Sequence, residues 1–145
     1  MKPSQIEIDK RNARFWEELC GTNLARSMGI VKITPNNLRR FDDAYMAYYP
    51  YLRKYFAAHR LSGKRVLDIG VGYGTLGQRL VVAGSKFYGI DIAEEPVKTM
   101  QYRLRMLEKT HEALSLVASG LHLPFSDASF DYVFAMGVIH HTLAT

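Results

Sequence analysis

Residues 66–77 read Val66-Leu67-Asp68-Ile69-Gly70-Val71-Gly72-Tyr73-Gly74-Thr75-Leu76-Gly77, and this stretch decides the fold. Its first four residues are mostly apolar and predict a short buried strand. Glycines then recur at every second position, which lets the backbone turn sharply and approach a ligand closely. A helix after them would point free backbone N–H groups toward the same place. The stretch therefore predicts a strand, a ligand-binding loop and a helix.

Beyond this stretch, short apolar runs alternate with helical segments, which is typical of a parallel α/β sheet. We predict further strands at residues 87–90, 114–117 and 132–136, and helices at residues 75–83 and 94–109. The strands are apolar on both faces, so we expect helices to cover both sides of the sheet. The predicted fold class is α/β, with a Rossmann-like parallel sheet whose first four strands are present.

The N-terminal part has a different pattern and predicts a helical cap. Residues 5–20 and 23–28 read as helical segments ended by glycines, and residues 37–60 read as a longer helix interrupted near Pro50. A largely aromatic stripe at helical spacing on the longer helix favours a packing face, and the alternative is a ligand-binding face. The members of this stripe are Phe41, Tyr45, Tyr48 and Leu52. The predicted division is a cap at residues 1–62 and a Rossmann-like domain at residues 63–145.

The glycine loop allows two interpretations. Gly72 to Gly77 satisfies the G-x-G-x-x-G fingerprint of dinucleotide-binding domains, and Asp91 follows Gly72 by nineteen residues. Asp91 would accept hydrogen bonds from ribose hydroxyls in either interpretation. Asp68 separates the two, because a carboxylate at the end of the first strand would repel a pyrophosphate and favour a cationic, amino-bearing ligand. The alternative without a ligand is that Asp68 only satisfies backbone donors of its own loop.

Four segments resemble class I S-adenosylmethionine-dependent methyltransferases. Asp68-x-Gly70-x-Gly72-x-Gly74 is the glycine pattern of that family, and Tyr88-Gly89-Ile90-Asp91-Ile92 is similar to its second motif. Residues 121–133, LHLPFSDASFDYV, are similar to the stretch that leads into the family's fourth strand. Val138-Ile139-His140-His141 resembles the following segment in the subgroup called methyltransferase type 11. The resemblance covers about half of the chain.

The resemblance implies S-adenosyl-L-methionine as the cofactor. Its methionine portion would lie on backbone groups of three glycines, Gly70, Gly72 and Gly74. Asp68 would support the amino group of the cofactor, Asp91 would bind both ribose hydroxyls, and Ile92 would pack on the adenine.

Adenine recognition departs from the family's pattern. The family usually has an acid near the exocyclic amine of adenine, and this sequence has Ser119 at that position, followed by Gly120 and Leu121. A serine accepts a hydrogen bond but lacks the charge, which weakens the interaction. The resemblance therefore implies that Ser119 acts together with backbone groups of Gly120 and Leu121.

The reaction implied by the resemblance is methyl transfer by in-line displacement from a sulfonium, for which the protein supplies alignment and desolvation. Two histidines, His140 and His141, follow the fourth predicted strand at the carboxyl edge of the sheet. Either one is a candidate general base for a hydroxyl or amine acceptor. The alternative is that they pack against or cap the following segment.

Composition narrows the classes of function. The chain has 145 residues, 48% hydrophobic and 23% charged, which is typical of a globular protein. One cysteine excludes an internal disulfide and a cysteine-based metal cluster, and no metal is expected. No apolar run approaches the ~20 residues of a membrane helix, and the N-terminus lacks the apolar stretch of a signal peptide. We expect a cytoplasmic protein that contacts no membrane.

The net charge of +5 does not predict a nucleic-acid partner. All of the positive excess lies in residues 1–65, but the basic residues are dispersed and form pairs at most. A nucleic-acid surface usually has them clustered on one face. The expected partner is a small-molecule methyl acceptor.

Nine residues follow the fourth predicted strand, too few for a covering helix and another strand. We therefore expect a chain that is C-terminally incomplete relative to the family, without its last three strands. The fourth strand would then lie at a sheet edge, where self-association is a hazard. Three functions stay open: a methyltransferase, a non-catalytic S-adenosylmethionine-binding module or fragment, and an NAD-type dinucleotide-binding domain.

Overall fold

The structure, a computed structural model, describes residues 3–17 and 23–142. Within these residues, the N-terminal part forms four α-helices and one 3-10 helix. The α-helices are α1 (Gln5–Glu17), α2 (Asn23–Ser27), α3 (Pro35–Tyr48) and α4 (Ala58–Leu61), and the 3-10 helix is Pro50–Tyr55. The end of the first predicted helix, at residues 18–20, lies outside the described residues.

The boundaries of α3 follow from its flanking residues. Thr34 caps its N-terminus by accepting a hydrogen bond from the Asn37 N–H at 3.1 Å, and Pro35 occupies the first turn. The helix ends at Tyr48 because Pro50 restricts the residue before it and lacks an N–H. The predicted interruption near Pro50 is thus confirmed, although the chain continues as a 3-10 helix and the short α4.

Four parallel strands form one sheet in the order β3-β2-β1-β4. They are β1 (Arg65–Ile69), β2 (Lys86–Asp91), β3 (Ala113–Val117) and β4 (Tyr132–Phe134), with α5 (Thr75–Val82), α6 (Glu94–Met106) and a 3-10 helix (Ile139–His141) between and after them. The predicted α/β class is confirmed. All four strands point the same way, so their carboxyl ends meet at one edge of the sheet, where ligands bind in such folds.

Helices α5 and α6 cover one face of the sheet. Val66 and Phe87 from the strands pack there with Leu80 of α5 and Met100 of α6, all fully buried. The N-terminal helices contribute Leu61, which packs in the same cluster. Helices α4, α5 and α6 and the two central strands therefore share one core below the carboxyl edge.

The expectation that helices cover both faces is wrong for the described residues. On the second face, Leu114 of β3 is 46% exposed and Val133 of β4 is 57% exposed. Only its centre is covered, by ring contacts of Tyr88 with Phe125 and Phe130 at centroid distances of 5.9 and 5.3 Å. Apolar residues on both sides of a strand therefore did not ensure burial on both sides.

Strand β4 is shorter than predicted and ends at Phe134, and it lies at the edge of the sheet. Within the predicted stripe, the packing role is confirmed for Phe41 of α3 and for Leu52, which lies in the 3-10 helix after it; both are buried. Tyr45 is half-buried and Tyr48 is exposed, because both border the cavity described below. None of the described helices has the length and apolarity that crossing a membrane requires.

Candidate functional site

A cavity of about 950 Å³ opens above the carboxyl ends of the strands. This volume lies near the upper end of the range for small-molecule sites, ~300–1,000 Å³. Its floor is the glycine loop and the ends of β1 and β2, and its roof is formed by α1, α2 and α3. Eight of the candidate cofactor-binding and catalytic residues line it, namely Asp68, Gly70, Gly72, Asp91, Ile92, Ser119, Gly120 and His141.

Asp68 is the most unusual group in this cavity. Its side chain is 1% exposed, and neither carboxylate oxygen has a hydrogen-bond partner among the described residues. Burial, together with the nearby charge of Asp91, raises the pKa of Asp68 to about 8. A buried carboxylate without a partner is costly unless it holds a proton or meets a cation. Asp68 does not cap its own loop, so the interpretation without a ligand lacks the hydrogen bonds that it requires.

Asp91 ends β2 beside the glycine loop. Its carboxylate accepts hydrogen bonds from the Gly72 N–H and the Ala93 N–H, both at 3.1 Å. Burial raises the pKa of Asp91, and these backbone donors partly oppose the shift. Each carboxylate oxygen has a second lone pair. Asp91 can therefore accept two further hydrogen bonds from a ligand while it fixes the loop.

The amide groups of the three glycines are already engaged within the protein. Gly70 donates to the Ile90 carbonyl at 2.8 Å, Gly72 to Asp91, and Gly74 to the Val71 carbonyl at 2.7 Å. The loop thus gives a ligand close approach to the backbone, but these three N–H groups are not directed at it. Gly74 does not line the cavity. A Cβ there would lie 2.9 Å from the Arg103 side chain, on the side of α6.

Below the loop, Arg103 of α6 connects the loop to α3. The guanidinium binds both carboxylate oxygens of Asp42 at 2.7 and 2.8 Å and donates to the Tyr73 carbonyl at 2.6 Å and to Gln78. The Thr75 hydroxyl donates to the same Asp42 carboxylate at 2.6 Å. This buried network fixes the glycine loop between α3, α5 and α6. No sequence motif predicts this network. The one signal is that Arg103 follows Met100 by about one helical turn, which places a charged residue on an apolar helix face.

Past β3, Ser119 and Gly120 line the cavity, whereas Leu121 does not and is 37% exposed. The Leu121 N–H donates to the Ser119 hydroxyl at 3.3 Å. The Ser119 hydroxyl itself donates to Asp9 of α1 at 3.2 Å. Ile92, which follows Asp91 in sequence, also lines the cavity. Asp9 was not singled out in the sequence, because no local motif surrounds it.

The two histidines are placed differently. His141 lines the cavity and contacts Trp16 at a ring distance of 5.2 Å, whereas His140 is exposed and does not line it. Burial, together with the neighbouring His140, lowers the pKa of His141. The imidazole of His141 is therefore neutral at pH 7 and able to accept a proton.

Aromatic side chains of the N-terminal helices form much of the cavity roof. Phe15 and Trp16 of α1 and Tyr45 and Tyr48 of α3 line it, together with Tyr49 just after α3. Burial raises the pKa of Tyr45 to about 12, with contributions from Tyr49 and Asp68, so its hydroxyl stays protonated. The sequence predicted the aromatic stripe on α3 and favoured packing over ligand binding, whereas the structure places Tyr45 and Tyr48 at the cavity.

Comparison with known proteins agrees with this geometry. A family described as "Methyltransferase domain" matches residues 66–145. The 27-O-demethylrifamycin SV methyltransferase of Amycolatopsis mediterranei is 35% identical over 81 residues, 55% of this chain and 30% of that protein. The ubiquinone biosynthesis O-methyltransferase of Vibrio cholerae is 25% identical over 126 residues, 75% of this chain and 50% of that protein. This chain thus spans half or less of the length of these two curated relatives.

Among solved structures, geranyl diphosphate C-methyltransferase from Streptomyces coelicolor shares the fold. It superposes with a TM-score of 0.62 over 92% of this chain and 56% of its own, at 16% identity. That structure contains Mg²⁺, geranyl diphosphate and S-adenosyl-L-homocysteine. The family match extends over the sheet and includes the glycine loop and the ends of β1 and β2, which build the floor of the cavity. The chain therefore belongs to the methyltransferase domain family.

Proposed function

We propose that this chain binds S-adenosyl-L-methionine in the cavity and serves methyl transfer to a small-molecule acceptor. The observation that carries the proposal is Asp68, a buried carboxylate without a partner among the described residues. The α-ammonium group of the cofactor is a cation of the kind that such a carboxylate requires. When bound, the cofactor supplies a methyl group already activated on a sulfonium.

The glycine loop favours this cofactor over a dinucleotide. A pyrophosphate needs free backbone N–H groups, and those of Gly70, Gly72 and Gly74 are used within the protein. A pyrophosphate would also approach the Asp91 carboxylate on the cavity floor, and its negative charge would favour the protonated form of Asp68 instead of meeting a partner there. Asp91 retains acceptor capacity for the two ribose hydroxyls, and Ile92 offers an apolar surface to the adenine.

We place the methyl acceptor under the aromatic roof, toward the end of β4. Tyr45, Tyr49 and Met136 line this part of the cavity and suit an apolar or aromatic molecule. The names of the two curated relatives refer to methylation at oxygen, so we propose a hydroxyl as the accepting group. His141 then accepts the proton that the hydroxyl loses as its oxygen bonds to the methyl carbon.

Calorimetric titration tests the cofactor. We expect S-adenosylmethionine and S-adenosylhomocysteine to bind and NAD to release no heat. The variant Asp91→Ala should lose most of the affinity, because the ribose loses its acceptor. Binding of NAD alone, or unchanged affinity in Asp91→Ala, would contradict the proposal. Asp43→Ala, which changes an exposed acid on α3, serves as the matched control.

Transfer itself needs a separate measurement. The chain is incubated with methyl-labelled cofactor and a panel of small phenols and catechols, and the label is followed into the organic phase. We expect label transfer to at least one hydroxyl compound. Cofactor binding with no transfer to any compound of the panel would contradict catalysis by this chain and favour a binding module.

We further propose that residues 1–62 act as the cap of the Rossmann-like domain at residues 63–145, and that the β4 edge supports self-association. Three helices of the N-terminal part supply the cavity roof, and Tyr132 and Val133 of β4 are exposed at the sheet edge. Sedimentation at increasing concentration tests the second point. We expect Val133→Lys to remove any concentration-dependent dimer.

A further inference from the structure

The order of the strands sets three positions along the cavity floor. Asp68 lies at the end of β1, Asp91 at the end of β2, and residues 118–120 follow β3, in the spatial order β1-β2-β3. Neighbouring strands are ~4.8 Å apart, so the three positions span roughly 10 Å. With the amino group at Asp68 and the ribose at Asp91, the base of the proposed cofactor falls beside Ser119 and Gly120. This placement rests on the proposed function.

At this third position the Ser119 hydroxyl already makes hydrogen bonds within the protein. It donates its only proton to Asp9 at 3.2 Å and accepts the Leu121 N–H at 3.3 Å. The hydroxyl has one acceptor lone pair left and no charge, so it is a weaker acceptor for an amino group than a carboxylate. A charged acceptor lies directly beside Ser119, namely Asp9, to which its hydroxyl donates.

Asp9 is held at this place by other groups of α1 and of the segment after β4. Its second carboxylate oxygen accepts from the Gln5 amide at 2.8 Å, and Gln5 also donates to the Thr142 carbonyl at 3.2 Å. One turn later, the Asn12 amide donates to the His141 carbonyl at 2.9 Å. Helix α1 is thus fastened across the cavity, with Asp9 facing into it.

The carboxylate of Asp9 keeps acceptor capacity. A carboxylate offers about four lone-pair sites, and the structure shows two hydrogen bonds to it, from Ser119 and Gln5. It is half-buried and lines the same cavity as Ile92 and Ser119. We propose that Asp9 of the N-terminal helix accepts the exocyclic amine of the adenine, and so selects a 6-amino purine, in place of an acid at position 119.

The test compares two ligands that differ at this amine and in the proton on the adjacent ring nitrogen N1. S-adenosylhomocysteine and its 6-oxo analogue, in which hypoxanthine replaces adenine, are titrated calorimetrically into the wild type and into Asp9→Asn. We expect the wild type to prefer the amino ligand by about tenfold or more, since a hydrogen bond to a charged acceptor is lost with the oxo group. Asp9→Asn should lose or invert this preference, because an amide can donate to the oxo group.

The control is Asp43→Asn, an exposed acid of α3, which should keep the wild-type preference. An unchanged preference in Asp9→Asn would overturn the role of Asp9. Equal weakening of both ligands would also overturn it, because it would indicate that Asp9 only holds α1 in place. If the wild type binds neither ligand, the proposed function fails instead.

Discussion

The guanidinium of Arg103 on α6 binds both carboxylate oxygens of Asp42 on α3, at 2.7 and 2.8 Å, with Arg103 2% exposed. Sixty-one residues separate the two in sequence. The same guanidinium donates to the Tyr73 carbonyl in the glycine loop. The pair therefore connects the helix that forms the cavity roof to the loop that forms its floor.

Removing Asp42 should be strongly destabilising. Asp42→Ala leaves the buried guanidinium without its carboxylate, and breaking a buried pair in this way costs ~3–5 kcal/mol of unfolding free energy. Chemical denaturation measures the loss. Asp43→Ala, at the exposed neighbouring position, should change the stability by less than ~0.5 kcal/mol.

A double variant separates the charge from the shape. Asp42→Leu with Arg103→Met removes both charges and leaves apolar groups of similar size, which is often close to neutral for stability. We expect it to be more stable than Asp42→Ala. Equal stability of the two variants would show that the network, and not the unpaired charge, determines the cost.

The site residues that could be predicted from the sequence are those that lie within local motifs. Asp68 and Asp91 stand at strand ends next to glycines, and their spacing is enough to bring them to one edge of a parallel sheet. Asp9 and Asp42 have no such motif. Asp9 meets Ser119 across 110 residues, and Asp42 meets Arg103 across 61, so only the packing of the helices brings them together.

For the fold, too, one part was predictable from the sequence and another was not. The alternation of apolar runs and helical segments was sufficient for the order of strands and helices along the chain. It was misleading for burial, since Leu114 and Val133 lie on a face that no described helix covers. Apolar residues make a strand compatible with burial, but whether a face is buried depends on which other elements pack against it.

The charge state of Asp68 should depend on pH in a defined direction. Its pKa is about 8 in the folded free protein, against 3.8 as the usual value. Between these values the folded state binds more protons than the unfolded state, so the unfolding free energy falls as the pH rises from ~4 to ~8. We expect Asp68→Asn to lose this contribution, which has a limiting slope of ~1.4 kcal/mol per pH unit. Denaturation curves across this range measure the difference between the two proteins.

Binding of a cation at Asp68 should favour the ionised form of its carboxyl group and so release the proton. At pH 7 the free carboxyl is mostly protonated, so the ammonium group of S-adenosylmethionine should displace up to about one proton. Calorimetry in buffers with different ionisation enthalpies measures the number released. Binding by the wild type without proton release would mean that the ammonium group does not lie at Asp68.

Gly72 and Gly74 should respond differently to the same substitution. Both have positive φ, +49° and +75°, so alanine costs ~1–2 kcal/mol of backbone strain at either position. At Gly72 a Cβ meets no atom within 4 Å and enters the cavity, so Gly72→Ala should mainly weaken cofactor binding. At Gly74 it would lie 2.9 Å from the Arg103 side chain, so Gly74→Ala should cost a further ~1–3 kcal/mol through overpacking.

Thermal denaturation and titration with S-adenosylhomocysteine distinguish the two effects. Gly74→Ala should have the lower melting temperature, and Gly72→Ala should show the larger loss of affinity relative to its stability. The reverse order would place Gly74, and not Gly72, against the ligand.

His141 should be the histidine that matters for transfer to a hydroxyl acceptor. It lines the cavity and is neutral at pH 7, because burial lowers its pKa from the usual 6.5. His141→Ala should reduce the rate of label transfer by ~10²–10⁴-fold, the range for losing a general base, with cofactor affinity within a few-fold of the wild type. His140→Ala is the matched control, since that ring is exposed, and it should retain most of the rate.

The wild-type rate should fall only below pH 6.5, and this acid limb should be absent in His141→Ala. Equal losses in the two variants would assign the effect to the Ile139–His141 turn and not to the base.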